Sequence, residues 1–338
     1  MCNKLFVVLL VLGLVSSAVA EVATPDNIQV LYSMNAADSD GMYMYNTAPG
    51  TGSIGPMGYA EETFLATLNG YAAGKLGEAM IMSLDGALNP AGYDPNVAAW
   101  LTPNEEAGNI VDIRPEVESM DPEIKPFENK TISMWVKKTA ERDPALHHPA
   151  NDGTEFFLGS YFTYTTYIAL VPNEDPNVTK SQLAFRLGAS SSTAGSGGLT
   201  PFVRTDINTD EWYHVAMVMA NTTGDIGHNM RGNFYVNGEL IGSVGGLCRP
   251  SDAFRWGAPR PWNLAAIGAY QCDESMSTGH LTGGMVDDFA IFNVPLCQAC
   301  VRDIYELGMQ GLDVTNIPEP TTIALLGLGG LALLRRKR

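Results

Sequence analysis

Along much of the chain, apolar residues recur at alternate positions in short runs, and turn-forming residues separate the runs. NIQVLYSM, GEAMIMSLDG, NKTISMWVKK, EFFLGSY, YTTYIALVP, SQLAFRLG, EWYHVAMVMA, GNFYVNGELIGSV, LAAIGAY and GGMVDDFAIFNV are rich in β-branched, aromatic or alternating apolar residues. Gly, Pro, Asn or Asp bound each run, the pattern of strands joined by turns. Amphipathic helices do not intervene, which predicts an all-β antiparallel sandwich rather than a parallel α/β sheet. Asn237-Gly238, between Phe234-Tyr235-Val236 and Leu240-Ile241, signals a tight hairpin because both turn positions need positive φ. In TISMWVKK, Ile132, Met134 and Val136 share one face; Trp135 stands on the other, expected beneath a loop or on the second sheet surface.

One helix is predicted over 295–308, PLCQACVRDIYELG. Leu296, Cys300, Ile304 and Leu307 form an apolar stripe, and Gly308 is placed to end it. The low-complexity stretch 188–198 reads as a connection between strands, and 88–108 and 142–153 read as surface insertions.

The two ends have a different pattern. Residues 1–20 give one cation, Lys4, then an apolar run, then Ala18-Val19-Ala20. This is the order of a secretory signal, with cleavage expected after Ala20. The chain closes on Pro318-Glu319-Pro320, an apolar run of 12 residues from Ile323 to Leu334, and Arg335-Arg336-Lys337-Arg338. A spanning helix ordinarily needs about 20 apolar residues. The short run and its basic end therefore suit a transient stop in the inner membrane, with the cations held on the cytoplasmic side.

Composition agrees with export. Only 17% of residues are charged and Gly is abundant at 35, where about 25% charge is usual. The net charge is −17. Without Lys4 and the four terminal cations the body keeps 15 cations against 37 carboxylates, about −22. Such a surface repels phosphates, so nucleic acid is excluded as a partner. Cys248, Cys272, Cys297 and Cys300 remain after the signal; an even number in an exported chain favours disulfides, with three possible connectivities. Sequence proximity makes Cys248 with Cys272 and Cys297 with Cys300 the simplest pairing.

Several segments, in order, resemble the LamG-like (LamGL) domain, a concanavalin A-type jelly roll. They are VLYSMNAADSDG, GKLGEAMIMSLDG, KTISMWVKK, EWYHVAMVMA with NFYVNGELIGS, and IGAY followed by GGMVDDFAIFNVPL. The resemblance spans about 28–308. It implies two antiparallel sheets closed on one another, the last strand beside the first and a helix covering one edge. The tail resembles the PEP-CTERM sorting signal of Gram-negative bacteria, which implies an exosortase-type sorting enzyme as partner. The expected organisation is a signal peptide at 1–20, the jelly roll at 21–310 and the sorting segment at 311–338. The expected location is the cell envelope, cell surface or extracellular matrix.

Families on this fold often hold calcium between an early loop and the Asp opening the final strand. The resemblance nominates Asp287, then Asp288, with Asn46 in the approximate place of the early loop. Asp287 shares parity with Phe289 and Ile291, so it points inward unless the strand is bulged. His214 matches a motif position and reads as a structural residue. Exposed aromatics, Tyr164 with its neighbours Tyr161, Phe162 and Tyr167, and Trp256 with Trp262, are candidates for stacking on a sugar. Glucanases share the architecture and need paired carboxylates across a cleft. The nearest match, EVESMDPE at 116–123, has the wrong spacing and is interrupted by Pro122. The expectation is a non-catalytic module binding an extracellular polysaccharide or surface protein. The alternatives are a purely structural matrix component or a glycoside hydrolase.

Overall fold

The computed structural model describes residues 23–38, 47–49, 71–82, 111–112, 130–141, 154–160, 167–173, 175, 177–186, 203–221, 228–248, 265–267, 270–273, 276–278, 281 and 283–317. In chain order the strands are β1 (Ile28–Tyr32), β2 (Tyr71–Ala73), β3 (Glu78–Met82), β4 (Val111–Asp112), β5 (Lys130–Lys138), β6 (Glu155–Ser160), β7 (Tyr167–Val171) and β8 (Gln182–Arg186). They continue with β9 (Val203–Asp206), β10 (Trp212–Asn221), β11 (His228–Val236), β12 (Glu239–Cys248), β13 (Ala265–Ile267), β14 (Tyr270–Asp273), β15 (Met276–Thr278) and β16 (Gly284–Phe292). One α-helix, α1 (Gln298–Met309), follows, with short 3-10 turns at Pro25–Asn27, Ala36–Asp38 and Val314–Asn316.

The strands form the expected antiparallel sandwich. One sheet has eight strands in the order β12-β11-β10-β5-β16-β3-β2, with β1 also on β16; a six-stranded sheet runs β4-β13-β6-β7-β8-β9. The last long strand therefore lies beside the first. Between the sheets lies the principal core, which includes Ile132, Met134 and Val136 of β5 together with Ile168, Leu170, Leu183 and Phe185 of the six-stranded sheet. The Asn237-Gly238 hairpin is present, with φ of 51° and 77°, as a tight two-residue turn requires.

A second apolar cluster lies on the other face of the eight-stranded sheet, where Ala216, Val218, Tyr235, Ala290 and Phe292 meet Cys300, Val301 and Ile304 of α1. The helix thus covers a sheet face rather than an edge, because its buried stripe needs a broad apolar surface. Every residue of β16 is buried, which explains why its sequence is apolar at both parities.

Helix α1 starts one turn later than predicted, with Cys297 as N-cap accepting the Cys300 N–H. It also runs through Gly308 to Met309. Gly308 is needed for packing instead, since a Cβ there would stand 2.4 Å from the Trp135 ring. Gly311, at φ 77°, provides the left-handed residue just beyond the helix. Packing continues past residue 310, since Val314 and Ile317 are buried in the cluster that contains Ala23 and Ile28.

Candidate functional site

Strand β16 changes partners along one edge. Gly284, Met285 and Val286 pair with β3, whereas 289–292 pair with β1. Between them lies a β-bulge, where the register against β5 shifts from Asp287 to Ala290 and Asp288 takes a φ of 48°. A bulge inserts one residue and reverses the parity that follows. Val286 and Phe289 consequently both enter the core between the sheets. Asp287 faces the opposite way, opposite Trp135 on β5, which corrects the inward orientation expected from unbroken alternation.

The bulge delivers two buried carboxylates to two different loops. Asp287 Oδ2 accepts the N–H groups of Lys75 at 2.7 Å and Leu76 at 2.8 Å, in the turn joining β2 to β3. That turn is closed by the Gly74 N–H donating to the Gly77 carbonyl at 2.8 Å. It leaves no room at residue 74, where a Cβ would lie 2.6 Å from Asp287 Oδ2. Among the described residues, Asp287 Oδ1 is buried without a hydrogen-bond partner. Burial pushes the Asp287 carboxyl up to about 6, opposed by the N–H groups of Leu76, Lys75 and Asp288. Asp288 accepts the Val314 N–H, which ties β16 to the segment after α1. Burial first, then the charges of Asp287 and Asp313, hold its carboxyl well above the usual range.

Next to Asp287 lies an aromatic stack. Trp135, 2% exposed, has His214 at 5.3 Å and Tyr305 at 5.8 Å between ring centroids, and Lys75 Nζ lies 4.9 Å over its ring. His214 Nε2 and Ser133 Oγ are 2.8 Å apart, while His214 Nδ1 has no hydrogen-bond partner among the described residues. Burial lowers the His214 pKa to about 3, so the imidazole is neutral across the physiological range. With no charge to gain there and no path to solvent, it serves the packing under α1.

The outer face of the six-stranded sheet is built differently. Phe156, Tyr167, Ala169, Val171 and Ala184 form a separate buried cluster, with Phe156 edge-on to Tyr167 at 5.3 Å. Cross-strand pairing sets Arg186 opposite Tyr167 and Arg204 opposite Ala184. Both arginines are half-buried. Burial raises the Tyr167 hydroxyl to about 12, opposed by Arg186 through charge and a hydrogen bond and by Arg204 through charge. The aromatic rings are a floor, with two cations at its margin.

Among the other predicted residues, Cys297 and Cys300 form a disulfide at the start of α1. Cys248 and Cys272 lie on β12 and β14. Asn46, Tyr164, Trp256, Trp262, Pro318, Glu319, Pro320, Arg335, Arg336, Lys337 and Arg338 lie outside the described residues. Among the described residues no group of three or more His, Cys, Asp or Glu gathers as a metal site, and no helix is long and apolar enough to cross a membrane. Sequence reasoning missed Arg186 and Arg204; the available signal was their place on outward-facing positions in an otherwise acidic chain.

Comparison with known proteins follows the same division between body and tail. A family described as the concanavalin A-like lectin/glucanases superfamily matches residues 115–302, and the PEP-CTERM protein-sorting motif matches 316–338. Among solved structures, the chain is similar to domain 4 of AbnA, a GH43 extracellular arabinanase from Geobacillus stearothermophilus, in complex with arabinotriose. There the identity is 18%, with 84% of this chain and 98% of that one covered and a TM-score of 0.43. It is also similar to the binding domain of Paraclostridial Mosquitocidal Protein 1, at 12% identity, 83% and 52% coverage and a TM-score of 0.47. The receptor binding domain of Botulinum neurotoxin type G gives 10%, 83% and 51%, and 0.44. The chain spans about half the length of these two toxin domains. No curated protein matches it. The sorting motif marks an exported bacterial protein, associated with the envelope or surface and processed by an exosortase-type system. By the match over 115–302, the chain belongs to the concanavalin A-like lectin/glucanases superfamily.

Proposed function

We propose that the protein is an exported recognition module that binds an extracellular polysaccharide on the outer face of its six-stranded sheet, without catalysing a reaction on it. The observation that carries this reading is the arginine pair. Arg186 and Arg204 border an aromatic floor in a chain of net charge −17. Guanidinium groups bind carboxylates in a planar, two-pronged geometry, so the favoured ligand is a polysaccharide bearing carboxylate groups.

The buried carboxylates support the non-catalytic half. A glycoside hydrolase needs two carboxyl groups facing each other across an open groove. Asp287 and Asp288 are 0% and 3% exposed and hold backbone N–H groups of two separate loops. The same geometry leads us to assign Asp287 to the turn and not to calcium. A calcium ion gathers six to eight oxygens, whereas N–H donors converge on Asp287 Oδ2.

Burial of the aromatic floor favours a second reading. Phe156 and Tyr167 are each 5% exposed, which suits a purely structural matrix component whose packing is its function. A pull-down of the full-length protein on a panel of neutral and carboxylated polysaccharides separates the two. Retention on carboxylated polymers, lost in Arg186→Ala with Arg204→Ala, supports recognition; no retention on any polymer leaves the structural component.

A further inference from the structure

The folded body reaches almost to the sorting motif. Ile317 is 7% exposed and Val314 2%, both in the cluster under α1 with Ala23, Ile28, Ala290 and Phe292. The segment is pinned at several points. Asp288 accepts the Val314 N–H. Asp313 accepts the Thr315 N–H at 2.8 Å, and the Leu312 N–H donates to the Leu307 carbonyl at 3.1 Å. Pro318 follows the last buried residue directly.

Chain length then limits where the body can be while the tail is in a membrane. Residues 318–322 separate Ile317 from the apolar run that begins at Ile323. Six Cα steps at about 3.3–3.6 Å each span at most ~20 Å. The headgroup layer of one leaflet takes about 5–8 Å of that reach. A body of this size has a radius of gyration near ~19 Å, longer than the remaining tether. It cannot turn over on such a short connection.

Exposed apolar side chains lie close to the tether in the chain. Among the described residues the exposed large hydrophobics are Val178, Leu240, Met309 and Leu312. Two of the four lie near the tether in the chain: Met309, 55% exposed, ends α1, and Leu312, 38% exposed, stands between α1 and the closing 3-10 turn.

We infer that, while the tail is inserted, the domain lies flush on the lipid bilayer through the surface around Met309, Leu312 and Ile317, with the six-stranded sheet facing away. The occupant of this surface is the bilayer that receives the tail, because a tether this short brings the surface to the headgroups whatever else is present. The inference rests on the sorting-segment reading of the tail and is independent of polysaccharide binding. It also requires a sorting enzyme to approach Pro318-Glu319-Pro320 against the wall of the folded domain.

Photo-crosslinking tests this. The full-length chain is inserted into phosphatidylcholine–phosphatidylglycerol vesicles with a photoreactive phenylalanine analogue at position 309, 312 or, on the loop between β7 and β8, 178. Lipid adducts at 309 and 312 several-fold above those at 178 are expected. A flexible 20-residue Gly/Ser insertion after Ile317 adds a root-mean-square reach of about 25 Å. It should lower labelling at 309 and 312 to the level at 178, with an unchanged melting temperature. Equal labelling at the three positions, labelling that survives the insertion, or a full-length chain that does not stay with the vesicles overturns the inference. Loss of polysaccharide binding in the arginine variants would not change these yields, so the two proposals fail separately.

Discussion

The two outer faces of the sandwich use polar groups in opposite ways. Under α1, the eight-stranded sheet buries Asp287, Asp288, His214 and Ser133 among aromatic rings, each at or near zero exposure. These groups hold loops and one another, and burial keeps His214 neutral and pushes both carboxyls up. On the six-stranded sheet the rings are buried but the charged groups, Arg186 and Arg204, are only half-buried at the margin. A polar residue committed to architecture is enclosed with its partners, whereas one suited to a ligand keeps a route to solvent. The first face therefore builds the domain, and the second is the one that the proposed recognition uses.

Variants can break this contrast, and the largest effect is expected at Trp135. Trp135→Ala removes the ring that joins His214, Tyr305 and Lys75 and should cost about 3–5 kcal/mol. At roughly 2–4 °C per kcal/mol for a domain of this size, thermal denaturation should show a fall on the order of 10 °C. Asp287→Ala leaves the Lys75 and Leu76 N–H groups unpaired beneath the helix, a loss of roughly 2–3 kcal/mol readable in urea denaturation.

Asp287→Asn sharpens the same point through pH. The folded Asp287 pKa of about 6 lies above its ordinary 3.8, so the folded state binds the extra proton. That contribution is fully present below about pH 4 and is lost as pH rises through 6. Relative to the wild type, Asp287→Asn should gain about 1.4 kcal/mol for each unit of the shift over that window and nothing further above it. A stability difference that stays flat from pH 4 to 7 would show that Asp287 does not titrate there. The smallest effect concerns calcium: excess chelator should leave the melting temperature unchanged, whereas a lowered value would place a bound cation in the fold.

Much of this contrast was legible in the sequence. The alternation in TISMWVKK put Ile132, Met134 and Val136 in the core and Trp135 on the opposite face, and Asn237-Gly238 marked its hairpin. Short strands such as β2 and β9 escaped, since three or four residues hold too little period to read. Asp287 was recognised as special, with an inward orientation only for an unbulged strand; the bulge after it changes parity, and the sequence carries no mark of where pairing passes from β3 to β1. Gly308 looked like a helix stop because its real constraint, contact with Trp135, comes from a residue far away in the chain. Arg186 and Arg204 were not singled out, because only the pairing of β7, β8 and β9 sets them beside Tyr167 and Ala184.

The difference between the faces is tested most directly by the affinity of the full-length protein for a carboxylated polysaccharide, measured in parallel for the wild type, Arg186→Ala with Arg204→Ala, and Asp287→Asn. The account predicts binding weakened at least tenfold, about 1.4 kcal/mol, in the arginine variant alone, with its melting temperature close to the wild type. Equal affinity in all three proteins, or a loss that follows Asp287→Asn instead, would contradict it.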